Sequence, residues 1–121
     1  MYKKVLLCRN EVLESGMVTQ SFEVFDAPED FLPFAYKYLE CSYVDAVYID
    51  NNVTIWVDDE GLLKKDNVVL EYATDIILAG NLLFTGGADN LGRNLYLDDA
   101  EIEKLKMMCR NGEVKGITHG D

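Results

Sequence analysis

The chain has 121 residues, 49% of them hydrophobic, enough for one domain with a core of its own. Twenty-two acidic side chains against eleven basic ones give a formal net charge of −11, a surface that repels nucleic acid and anionic membrane at long range but leaves room for a small anion in a locally basic pocket. There is no apolar run of the roughly 18 residues that cross a bilayer, no signal-peptide h-region after MYKKVLLCRNEV, and no C-x-x-C among the three cysteines, so the reading is a cytoplasmic protein with reduced thiols and no zinc site.

Residues 2–8 (YKKVLLC) and 17–25 (MVTQSFEVF) are rich in β-branched and aromatic residues. Glu14-Ser15-Gly16 is a turn signal, so the two read as an N-terminal hairpin with a longer loop. In DAPEDFLPFAYKYLE, Phe31, Ala35, Tyr38 and Leu39 recur at helical spacing behind Asp26, Glu29 and Asp30, acids that a helix N-terminus favours. Pro33 fits only a first turn, which sets the regular helix at 31–40. DAVYIDNNVTIWVDDEG alternates on both sides of Asn51-Asn52, a pair that tolerates left-handed backbone, and reads as a second hairpin closed by Asp58-Asp59-Glu60-Gly61. Residues 66–79 (DNVVLEYATDIILA) fit either a short helix or a strand, and 82–85 after Gly80 reads as a buried strand. Asp98 and Glu101 make a D-x-x-E capping box for a last helix with an apolar stripe of Ile102, Leu105 and Cys109, stopped by Asn111-Gly112. The glycine-punctuated EVKGITHGD is expected to be a loose tail. The fold class is α+β: a single domain over 1–121 with a mainly antiparallel β-sheet and two or three short helices, the last of them C-terminal.

Catalytic chemistry is sparse. His119, the only histidine, stands beside the C-terminus, so a Ser-His-Asp or Cys-His pair would have to recruit the tail. Asp58, Asp59 and Glu60 lack the staggered spacing and bidentate glutamate of a calcium loop, and read as an acidic hairpin end facing water. Paired carboxylates for acid–base work stay open in so acidic a chain, though nothing singles out a pair, and no cofactor and no metal are expected.

The segment NLLFTGGADNLGRN, residues 81–94, contains G-x-x-x-x-G-R-N from Gly87, close to the nucleotide-binding phosphate loop. That loop needs a helix opening at its Lys-Ser/Thr, whereas Leu95-Tyr96-Leu97 is extended in pattern and the capped helix starts only at Asp98. The metal-binding hydroxyl is missing and Asp89 would stand among the phosphates, so the phosphate-loop reading is rejected. What remains is Phe84-Thr85 at a strand end, a glycine loop, and Gly92-Arg93-Asn94. A ring can stack on a purine, glycines let N–H groups approach phosphate, and Arg and Asn can bind phosphate or a base edge. Arginine is scarce: Arg9, Arg93 and Arg110 are the only three, each followed by Asn, as suits residues kept for bidentate anion contacts. The plainer reading of the same residues is a core Phe84 below a wide hairpin turn.

SYVDAVYIDNNVTIWVDDEGLLKK, the following GNLLFTGG and the final LDDAEIEKL together resemble a small phage-encoded domain of unknown function. More narrowly, the order of hairpin, D-E-G turn, strand-Gly-Gly and a helix opening in L-x-x-x-E-I-E looks like the Thoeris anti-defence family of the first-described type. The resemblance implies a phage counter-defence protein, acting in the cytoplasm of an infected bacterium, that sequesters the cyclic ADP-ribose signal of a TIR-domain sensor without cleaving it; relatives also hold cyclic oligonucleotides. It implies homo-oligomers, dimers or higher, with ligand near the interface, while the acidic charge argues for no nucleic-acid and no membrane partner. Carried over to this chain, Phe84 takes the aromatic position, Asn94 the amide and Arg110 the arginine, with Arg93 and Arg9 as further candidates. An anionic ligand in so acidic a chain requires those arginines to cluster. The alternative is an acidic, DNA-mimic-like inhibitor of a nucleic-acid-binding bacterial defence enzyme, with carboxylates spaced along one exposed face at about the phosphate repeat.

Overall fold

A computed structural model of the chain describes residues 3–49, 52–72 and 76–120. Strands β1 (Lys4–Val12) and β2 (Val18–Asp26) form the expected first hairpin, in register from Lys4 opposite Asp26 to Val12 opposite Val18. The Leu13 N–H closes the turn on the Met17 carbonyl, and Gly16 supplies its left-handed residue, φ 85°. Helix α1 (Phe31–Leu39) carries Pro33 in its first turn, where no helical N–H is lost. Strands β3 (Val44–Ile49) and β4 (Val53–Asp58) are the second hairpin. Of its expected turn pair, Asn51 lies outside the described residues.

The described residues of the ambiguous 66–79 stretch are strands: β5 (Lys65–Tyr72) and β6 (Ile76–Ala79) pair antiparallel. Val68, Leu70 and Tyr72 alternate inward along β5, a period of two that no helix face reproduces. Strand β7 (Leu82–Gly86) is buried along its whole length, and helix α2 (Asp99–Arg110) begins at the expected capping box. There the Asp98 carboxylate accepts the Glu101 N–H at 2.8 Å and the Glu101 carboxylate accepts the Asp98 N–H at 3.0 Å. The expected loose tail is instead β8 (Glu113–His119), antiparallel to β5 across a register break near Gly116. Pairing with β5 orders it, and Thr118 turns inward to accept the Asn67 N–H at 2.9 Å. Gly112 makes the turn into β8 possible, since a Cβ there would lie 2.6 Å from the Tyr72 ring.

The strands form a five-stranded sheet in the order β2-β1-β7-β4-β3 and a three-stranded sheet in the order β6-β5-β8. Among the described residues all the pairings are antiparallel, and with two α-helices the architecture is α+β. Alternation along β1 separates the two faces of the larger sheet. Val5 and Leu7 pack with Leu83 against Phe31, Ala35 and Leu39 of α1. Leu6 and Cys8 pack with Ile55, Leu82 and Phe84 against the second sheet and the Ile102-Leu105-Cys109 stripe of α2. Burial on both faces explains why β1 reads VLLC with no polar alternation. On the α1 side, the Phe31 and Trp56 ring centroids stand 4.8 Å apart, and the Trp56 indole donates to the Thr85 hydroxyl at 3.0 Å.

Candidate functional site

After β7 the chain doubles back on itself before α2. Gly86 donates to the Leu95 carbonyl at 3.0 Å and Leu95 donates to the Gly87 carbonyl at 2.7 Å. Inside that pair, Asp89 donates to the Arg93 carbonyl at 2.9 Å and Gly92, left-handed at φ 76°, donates to the Asp89 carbonyl at 3.0 Å. Leu97 and Lys4 then exchange backbone bonds of 2.9 and 3.1 Å, which brings the end of the loop against the start of β1. This return creates an open cleft of about 770 Å³. Arg93, Asn94 and Tyr96 line it from the loop, Lys3 from the N-terminal side, and Asp98 and Glu101 from the start of α2.

Most of the carboxylates here are already engaged. Those of Asp98 and Glu101 close the capping box. Asp89 accepts the Leu91 and Arg93 N–H groups at 2.9 Å each through Oδ1, and the Arg93 Nε–H at 2.8 Å through Oδ2. The Arg93 amide first, then the Leu91 amide and the Arg93 guanidinium, hold the Asp89 carboxyl below its ordinary range. Among the described residues Arg93 is bound through Nε alone, and with its side chain 72% exposed it keeps the terminal Nη edge open for a bidentate contact. Tyr96 is half-buried against the α1-side cluster, and burial raises its phenol above the usual value. The cleft thus offers a guanidinium edge, an amide, an ammonium and an aromatic ring, the group types that bind phosphate and a base.

Of the five residues expected to bind ligand, Arg93 and Asn94 share this cleft. Phe84 does not stand on a pocket wall: it is fully buried, paired with Leu6 and Ile55 on the face covered by the second sheet and α2. Arg9 lies on the opposite, α1-side face of β1, with its Nη1 2.6 Å from Glu23 Oε1. Arg110 caps the far end of α2, its guanidinium 5.4 Å from the centre of the Phe22 ring. Phe22 pairs with Cys8, so Arg9 and Arg110 are on opposite faces of the sheet. Nine residues of α2, a rise of about 14 Å, separate Arg110 from Glu101 on the cleft wall. The three arginines do not cluster within one chain. Lys3 and Tyr96 were not foreseen; Lys3 comes to the loop through the Lys4–Leu97 pairing.

A second cleft, of about 470 Å³, opens where β1, β4 and β5 meet the turn at Gly61–Leu63. Several of its polar groups are engaged: the Asn10 amide donates to the Gly80 carbonyl, that of Asn67 to the Gly61 carbonyl, and Lys64 Nζ lies 2.6 Å from Asp58 Oδ2. Asp58 is therefore not part of a hairpin end facing water: its side chain is only 10% exposed and also accepts the Glu60 N–H. No aromatic residue lines this cleft among those described. All three cysteines are free. A hydrogen bond to Cys8, followed by burial, pushes the Cys109 thiol well above its ordinary range, which disfavours the thiolate a nucleophile needs.

No curated protein and no solved structure matches the chain. Residues 8–110 match the domain of unknown function DUF3846, a span from the middle of β1 to the end of α2 that includes the loop wall of the larger cleft. By that match the chain belongs to the DUF3846 family.

Proposed function

We propose that this protein is a phage counter-defence sponge: it binds a cyclic ADP-ribose signalling nucleotide in the cleft beneath the 87–97 loop and holds it without cleavage. The observation that carries the reading is the meeting of Arg93, Asn94, Lys3 and Tyr96 on one open cleft. Tyr96 takes the stacking role expected of Phe84, Arg93 and Lys3 face the phosphates, and Asn94 reads a base edge. The resemblance of the element order to the Thoeris anti-defence proteins supports the ligand class, and it extends to a homo-oligomer in the host cytoplasm. The two buried thiols, of Cys8 and Cys109, and the lone histidine on edge strand β8 fit capture better than catalysis.

The test is to incubate the full chain with cyclic ADP-ribose, remove the protein by ultrafiltration, and heat it to release what it holds. The signal should disappear from the filtrate and return unchanged, and Arg93→Ala should abolish the retention. A filtrate that keeps its signal, or a released product that is altered, overturns the reading. The charge of −11 supports a second reading, inhibition of a nucleic-acid-binding defence enzyme by charge mimicry. Salt-sensitive binding to such an enzyme, indifferent to Arg93→Ala, would mark that outcome instead.

A further inference from the structure

The cleft's own charges set which phosphates it accepts, and this inference rests on the cleft being the nucleotide site. Three carboxylates, of Asp89, Asp98 and Glu101, line it against two cations, Lys3 and Arg93. Each of the three is engaged by hydrogen bonds. Asp89 is held by two backbone amides and by Arg93 Nε, and the other two hold each other's backbone at the start of α2. A terminal phosphate carries a charge of about −1.5 to −2 near neutral pH. A phosphate bridging two groups has no second acidic proton and carries a single negative charge.

We infer that the cleft selects bridging phosphates over terminal ones, with Asp89 as the residue that enforces the choice. Asp89 has two effects. Its bond to Nε aims the free Nη edge of Arg93, a planar fork that can meet two oxygens of a bridging pair. Its fixed charge, beside that same guanidinium, repels the extra charge of a terminal phosphate, which mobile side chains would avoid by moving away. The ligand class is a nucleotide whose phosphates are esterified on both sides, linear or cyclic.

Calorimetric titration of the full chain with ADP-ribose and with ADP tests this, because the first has only bridging phosphates and the second ends in a terminal one. ADP-ribose should bind about tenfold more tightly, the effect of one added like charge at close range in a water-facing site. Asp89→Asn keeps an oxygen acceptor for the loop amides and removes the charge, and the preference should fall below about threefold. The loop's four backbone bonds do not involve the Asp89 side chain, so it should keep its shape. Glu101→Gln, which likewise keeps its acceptor for the Asp98 N–H, should narrow the preference without touching the loop. ADP binding as tightly as ADP-ribose, a preference unchanged in both variants, or no binding of either nucleotide overturns the inference. Retention of cyclic ADP-ribose together with equal binding of ADP and ADP-ribose would sink the selectivity alone. A preference for ADP-ribose without retention of the cyclic signal would sink the sponge reading alone.

Discussion

Phe84 and Tyr96 divide between them what one aromatic residue was expected to do. Phe84 is enclosed by Leu6 and Ile55 and belongs to the core, so truncating it leaves a void that packed neighbours cannot fill. Phe84→Ala should lower the unfolding free energy by about 3–5 kcal/mol, measured by urea denaturation followed by circular dichroism. Tyr96→Ala should cost much less stability, because its ring is only half-buried, and should instead abolish nucleotide retention. Equal losses of stability in the two variants would remove the distinction. The sequence around residue 84 could not separate these roles. An aromatic at the end of an apolar strand looks the same whether the next layer covers it or leaves it bare. The covering layer here comes from α2 and β5, elements remote from Phe84 in the chain.

At the level of elements, legibility followed local chemistry. The capping box at Asp98, the proline in the first turn of α1 and the alternation around Asn51-Asn52 are signals contained within a few residues, and each element formed where its signal lies. Strand β8 was missed because EVKGITH offers weak alternation and a glycine, and owes its order to β5, over forty residues earlier. The cleft was half legible for the same reason. Arg93 and Asn94 stand in the glycine loop itself, whereas Lys3 joins them through the pairing of Lys4 with Leu97. Ending the chain after Gly112 should therefore do more than remove a tail. It strips β5 of its partner on one side and leaves an open edge, so the unfolding midpoint in urea should fall and the protein should self-associate at high concentration by sedimentation analysis. Unchanged stability would mean that β8 contributes nothing to the fold.

For the molecule as a whole, a net charge of −11 on a chain of this size makes self-repulsion a standing cost of compaction. Salt screens it: between about 0.05 M and about 0.5 M sodium chloride the screening length falls from roughly 14 Å to roughly 4 Å. Stability should rise over that range. Nucleotide retention in the exposed cleft should weaken over the same range, because the attraction of Lys3 and Arg93 for phosphate is screened as well. Opposite trends in the two measurements, thermal midpoint and retained nucleotide, are the expected result; parallel trends would mean that charge governs neither as described.

The single tryptophan adds an optical consequence to the three-layer arrangement. Trp56 projects from β4 of the five-stranded sheet into the α1-side cluster, with Phe31 at its ring and Thr85 at its indole nitrogen. Its emission therefore reports solvent entry into that one interlayer space, and neither the second sheet nor the loop over the cleft contributes an indole of its own. Comparing the emission transition with the far-ultraviolet signal of the backbone asks whether the molecule melts in one step or sheds a layer first.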